Sequence, residues 1–320
     1  LYDTAAINRS HTDVSLGKGA AWRKPFSASK LCRMSVGACL VSALYISVPE
    51  QSLAADVANA NAENKVPETP SPFSVGYGVK FTTDYMFRGQ TQSDGKPAVQ
   101  GYVEGRAFDW FYGGFFLSSV SFPSSPWGLS DPAAELDYFA GVRHTWDGLT
   151  MDVGATYYTY PGQIGVGALG GGLPATDMDM WEFAAKPTFA INEALSIGGT
   201  LAYSPDYVGT GASETYISAN AKLILPPLLQ LEDTSWFASG EIGRQKLGTT
   251  DLKSASIPDI DLPDFTVWNI GLGITYKSAT LDFRYWGSTL DNGSTGKCFT
   301  VTSMTNACGD RFALTLSFDM

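Results

Sequence analysis

Fifteen charged side chains fall at alternate positions within runs of alternating apolar and polar residues: Lys80, Asp84, Arg88, Glu104, Arg106, Asp137, Arg143, Asp152, Glu182, Lys186, Lys222, Glu241, Asp282, Arg284 and Arg311. Eight are basic and seven acidic, a near-neutral set suited to lining a polar interior. Two chemistries are open to such a set. The charges can pair into a network that holds strands in register and fills a narrow lumen. Alternatively, acidic and basic ladders can oppose each other and set up a transverse field at a constriction. The other reactive residues are few. His144 is the sole histidine beyond the N-terminal region, and it shares parity with Val142 and Trp146 on an apolar row, which makes it an interfacial residue rather than half of a Ser-His pair. Cys298 and Cys308 bracket one loop of an exported chain and read as a disulfide, with no histidine nearby to favour a metal site. Gly165 to Gly170 matches a dinucleotide fingerprint by letters, but no βαβ unit follows it, so no cofactor is expected.

Strands must position these charges. In the last run Phe312, Leu314, Leu316 and Phe318 alternate with Arg311, Ala313, Thr315 and Ser317. Successive strand side chains point to opposite faces, so one row meets an apolar medium and the other a polar one. The first run places Val75, Tyr77, Val79, Phe81, Tyr85 and Phe87 opposite Ser74, Lys80, Thr82, Asp84 and Arg88. A soluble sandwich also alternates. Twelve strands are expected, starting near Phe73, Ala98, Gly113, Glu135, Leu149, Met180, Ala194, Glu214, Thr234, Asp264, Ala279 and Asp310. Short connections such as Asp147-Gly148, Asn192-Glu193 and Lys277-Ser278 alternate with long ones, and a sandwich has no reason to alternate loop length in this way. The predicted fold is an all-β, transmembrane, antiparallel up-and-down β-barrel with both termini on the short-turn side. Aromatics at the strand ends are expected to form two interfacial girdles: Trp110, Phe111, Tyr112, Trp146, Trp236 and Tyr276 at the short turns, Tyr85, Phe87, Tyr158, Tyr160, Trp181 and Tyr207 at the long loops.

Composition agrees. The 320 residues include 34 glycines, 13% aromatics and only 17% charged residues, a mix that suits an all-β chain. A net charge of −11 argues against nucleic acid as a partner. Residues 1–55 are expected to be an N-terminal extension and signal peptide: Arg23, Lys24, Lys30 and Arg33 precede an uncharged run from Met34 to Val48, with Ser52-Leu53-Ala54 as a cleavage site. Residues 56–72 read as a flexible periplasmic leader and 73–320 as the barrel. Without residues 1–55 the chain keeps 15 basic and 29 acidic side chains. Because the interior set is balanced, the excess acid belongs in long loops, at Asp177, Asp179, Asp251, Asp259, Asp261 and Asp264, where it would favour cations at the mouth, bind divalent ions or simply be solvated.

The segment from Asp84 to Gly101, with Tyr85-Met86-Phe87-Arg88-Gly89-Gln90 at its start, resembles the opening signature of the TorF family of proteobacterial porins. Glu135 to Gly141, Tyr157 to Gly162, Trp181-Glu182-Phe183 and Tyr203 to Tyr207 are similar to further family segments, and the resemblance covers roughly Phe73 to Met320. It implies a barrel in the bacterial outer membrane, in contact with its lipid, with a porin role and no catalytic residues to carry over. The expected function is passive diffusion of small hydrophilic solutes or ions, with a lean toward cations. A plugged structural or surface-binding barrel is the alternative, and an outer-membrane enzyme the third reading, which needs a serine beside His144 at the outer rim. The first loop, with Asp84 and Asp94, is expected to pack at or into the mouth.

Overall fold

The computed structural model describes residues 72–121, 132–163, 177–229, 231–251, 259–290 and 308–320. The signal region, all but the last residue of the leader, the segment from Gly165 to Gly170, and Cys298 lie outside the described residues. β1 (Phe73–Thr82) is followed by a small hairpin of β2 (Met86–Phe87) and β3 (Gln90–Thr91). Then come β4 (Ala98–Ala107), β5 (Phe111–Ser119), β6 (Ala134–Trp146), β7 (Leu149–Thr159), β8 (Met180–Ala190) and β9 (Leu195–Ser204). β10 (Glu214–Leu225), β11 (Thr234–Leu247), β12 (Phe265–Tyr276), β13 (Ala279–Ser288) and β14 (Arg311–Asp319) complete the chain. β1 and β4 to β14 form one closed antiparallel barrel of twelve strands, each paired with its neighbours in sequence, and β1 closes on β14 with Gly78 opposite Asp319 and Thr82 opposite Thr315. Closure leaves no edge strand with unpaired backbone groups, the condition for crossing a bilayer with strands.

The expected starts agree with these strands to within two residues. Turn chemistry explains why the short connections are short. Asp147 and Gly148 have φ of 43° and 89°, and Phe108 and Asp109 have φ of 56° and 58°. Positive φ at both central residues is the twist that a tight hairpin needs. Bulky Phe108 adopts it at some conformational cost.

Polarity is inverted relative to a soluble protein. Among the described residues the fully buried set holds more polar and charged side chains than apolar ones, while Val75, Ile270 and Phe312 are 65%, 64% and 61% exposed on the outside. Apolar side chains of this size, repeated on alternate positions around a closed sheet, need lipid rather than water as their solvent. The first strand departs from its expected course. β1 stops at Thr82, and Tyr85 does not continue the outward row: it turns inside and is buried. Tyr158 and Tyr160 are also buried inside, packed with Tyr85, Phe116, Met180 and Phe265. The aromatic girdles are therefore corrected at these three tyrosines and at Phe87, Tyr207 and Tyr112, which also pack inside; the phenols of Tyr85, Tyr158 and Tyr112 donate to Glu135, Glu182 and Asp152, partners that lipid cannot supply. Trp181 at the long-loop end is exposed, as are Trp110, Phe111, Trp146 and Tyr276 at the short-turn end.

Candidate functional site

All fifteen charges assigned to the polar row face away from the exposed apolar belt, being buried or half-buried. Arg88, Arg106, Arg143, Arg284 and Arg311 form local ion pairs with Glu182, Glu104, Asp152, Asp282 and Asp84 rather than opposed ladders. On one wall Arg143 on β6 donates through Nε to Asp152 Oδ2 at 2.8 Å and through Nη1 to Glu104 Oε1 at 3.3 Å. Tyr112 OH donates to Asp152 Oδ1 at 2.6 Å, and its ring lies 4.3 Å beneath the Arg143 guanidinium. Arg106 Nε also donates to Glu104, and Lys186 sits beside Asp152 in register across β7 and β8. Tyr112 fits because Gly141 and Gly154 have no side chains; a methyl group on either would collide with the Tyr112 hydroxyl.

On the other wall Arg284 of β13 makes two 3.0 Å bonds to Asp282, a 2.6 Å bond to Asn269 Oδ1 and a 2.9 Å bond to Ser239 Oγ. This one guanidinium links β11, β12 and β13. Lys222 lies with Nζ 4.4 Å from the Phe237 ring, Glu241 accepts from Tyr216 OH at 2.8 Å, and Lys80 is buried on β1. Where these charges pair, they do so with neighbours on the same wall or with the first loop. The interior charges are also shielded: Glu104, Asp137, Asp152 and Glu182 are 1%, 0%, 1% and 2% exposed.

The first loop crosses the long-loop end. The β2–β3 hairpin turns on Arg88 and Gly89, with φ of 45° and 75°. The loop springs from the seam between β1 and β4, and the strands on the far side of the ring are β9 and β10. Arg88 reaches that far side. Its Nη2 lies 2.7 Å from Glu182 Oε2 on β8, and its Nη1 is bonded to Glu214 on β10, which also accepts from Gln245 Nε2 on β11. The guanidinium lies 4.3 Å from the Tyr216 ring centre and 4.8 Å from that of Phe87. Burial disfavours the cation, yet Glu182 and Glu214 more than offset that, and the Arg88 pKa is raised above its ordinary value. On the near side, Tyr85 OH donates to Glu135 Oε1 on β6 at 3.4 Å. Burial, then Glu135 and Asp137, push this phenol well above its ordinary pKa, so it stays a donor.

The base of the loop is held as well. Asp84 accepts from Thr91, from Ser93 Oγ at 3.0 Å and from Arg311 Nη1 at 3.0 Å. Asp94 pairs with exposed Lys96 at 3.3 Å. The expectation that this loop packs into the mouth holds for Asp84, whereas Asp94 remains nearer the surface. Cys308 is buried and disulfide-bonded, while its expected partner, Cys298, lies outside the described residues.

Sequence reasoning did not assign Glu135, Glu214, Gln245 and Tyr216 to the interior set. Their parity matches that of Asp137, Lys222 and Glu241 on the same strands, and that signal could have placed them. His144 lies at the short-turn end, stacked on Trp110 at 3.9 Å and edge-on to Trp146 at 4.7 Å. That is an interfacial setting at the opposite end from the rim where a catalytic pair was considered. The loop acids are partly engaged. Asp179 accepts from Tyr157 OH, the Tyr160 backbone N–H and Gln163 Nε2, and Asp264 accepts from the Leu247 N–H and faces Arg244 at 3.5 Å.

Fold and site together define a twelve-stranded transmembrane β-barrel with an ion-paired interior and a mouth crossed by its first loop. The chain belongs to a family of bacterial proteins of unknown function (Gcw_chp), which matches residues 67–316. That description does not carry the TorF name. No curated protein matches the chain. Among solved structures it is similar to the NanC porin, with 7% identity and a TM-score of 0.43 over 76% of this chain and 98% of that one. It is similar to the KdgM porin, with 7% identity and a TM-score of 0.41 over 76% and 97%. A third is the Pseudomonas putida toluene transporter TodX, with 13% identity and a TM-score of 0.38 over 78% and 90%. These likenesses concern overall shape and lend no residue to the site.

Proposed function

We propose that the protein is an outer-membrane channel of the porin class, passing small hydrophilic solutes or ions, in a state closed at the mouth by its first loop. The observation that carries this reading is the inverted polarity: ion pairs and hydroxyl groups fill the inside of a closed barrel whose outside is apolar. Channel walls need charge where solutes pass, and a strand barrel confines that charge to its interior. The occluding element is a connection rather than the wall, so moving it opens the mouth without breaking a strand ladder. Residues 1–55 would serve export and 56–72 would form the leader. The TorF porin assignment and a lean toward cations are part of this proposal. The latter rests on the acidic long loops, whose negative charge would raise the local cation concentration.

A plugged structural or binding barrel is favoured by one observation, the near-complete burial of Glu104, Asp137, Asp152 and Glu182. Single-channel recording of the refolded barrel in a planar bilayer, with a salt gradient, separates the two. Discrete steps with a cation-leaning reversal potential support the channel. Silence from a folded barrel, both as the natural chain and with Arg88 replaced by glycine, removes it in favour of the plugged form.

A further inference from the structure

The group that seats Arg88 is built like a receptor for a guanidinium ion. Two carboxylates from separate strands, Glu182 and Glu214, approach it from the wall, the Gln245 amide holds Glu214, and the Tyr216 ring covers one face at 4.3 Å. Glu182, Glu214, Gln245 and Tyr216 are all at most 2% exposed, so the recognising groups are positioned by the barrel and not by the loop. Tyr216 is itself fixed, by its 2.8 Å bond to Glu241 and by Gly243, where a methyl group would collide with its ring. Opposite charge, a planar hydrogen-bonding fork and an aromatic face are the features that select guanidinium over a compact ammonium ion.

The occupant is less well suited to its own backbone than the receptor is to the occupant. Arg88 takes the first central position of a two-residue hairpin turn at φ 45°, where Asn or Gly is the favoured residue. Among the described residues Arg88 Nε, Glu182 Oε2 and Glu214 Oε2 have no hydrogen-bond partner, so the site holds capacity that Arg88 does not use.

We infer that Glu182, Glu214, Gln245 and Tyr216 form a guanidinium-binding site that the protein's own Arg88 fills as a tethered ligand, and that free guanidino compounds are competitors for it. The inference stands whether or not the barrel conducts.

The test uses the barrel with Arg88→Gly, since glycine favours the positive φ and preserves the hairpin while deleting the guanidinium. Methylguanidinium is titrated into the detergent-solubilised protein by calorimetry, against methylammonium at matched ionic strength. Saturable one-to-one binding is expected in R88G, at least tenfold tighter than for methylammonium and at least tenfold weaker once E182Q and E214Q are added. The natural chain, with its site occupied, should bind at least tenfold more weakly than R88G. Absence of saturable binding in folded R88G overturns the inference, as does equal binding after both glutamates are neutralised. Folding of each variant is checked by its heat-dependent electrophoretic migration. R88N, which supplies the other favoured turn residue, replaces R88G if that variant fails to fold.

Discussion

At the scale of single residues, the interior is held by charges largely shielded from bulk water, so their worth depends on being paired. Arg284 is the clearest case, with four hydrogen bonds to three partners on three strands. Removing one member of such a buried pair leaves the other uncompensated, at a cost of about 3–5 kcal/mol. Arg284→Leu should therefore destabilise the barrel by about that amount in urea unfolding from lipid vesicles. Adding Asp282→Asn should restore more than half of the loss; a double variant as unstable as the single one would show that Asp282 is not what Arg284 neutralises. Arg88 differs because its pairs hold a loop rather than the wall. Arg88→Gly also leaves two buried carboxylates, Glu182 and Glu214, without their cation, so it should cost about 3–5 kcal/mol in the same unfolding measurement. It should raise either the open probability in planar bilayers or the rate of protease cleavage between residues 83 and 97. No change in either measurement would mean that Arg88 does not hold the loop down.

At the scale of elements, hairpins and glycines decide how closely the strands approach. The Asp147-Gly148 turn uses φ of 43° and 89°, and a methyl group at Gly148 would have room, its nearest contact being the Ala190 carbonyl at 3.4 Å. The cost of Gly148→Ala is therefore conformational, about 1 kcal/mol or somewhat more. It should appear as a lower urea midpoint with unchanged slope. These turns were legible from sequence, because Asp-Gly between alternating runs has one common use. The inward course after Thr82 was not. Tyr85 and Phe87 keep the parity of the outward row, and only their interior partners, Glu135 for Tyr85 and the Tyr158 ring for Phe87, show why they leave it.

At the scale of the whole molecule, one solvent lies outside the barrel and another chemistry lies within. Ile270, mid-strand on β12 and turned outward, should cost about 2–4 kcal/mol when changed to Arg, whereas the same change at Leu149, at a strand start near the interface, should cost about 0–1 kcal/mol. Equal costs at the two depths, measured by refolding into vesicles, would contradict a bilayer around this belt. The sequence by itself determined the alternation of short and long connections and the antiparallel barrel of about twelve strands, while leaving ten strands open. Each of these follows from local parity and turn chemistry, which act over a few residues. It did not choose between a paired network and opposed ladders, nor did it show that Arg88 crosses to Glu182 and Glu214. Parity states which side of a strand a residue takes, but not which of the eleven other strands it meets. Only closure of the ring, which sets the seam between β1 and β4 opposite β9 and β10, decides that distance and so the course of the first loop across the mouth.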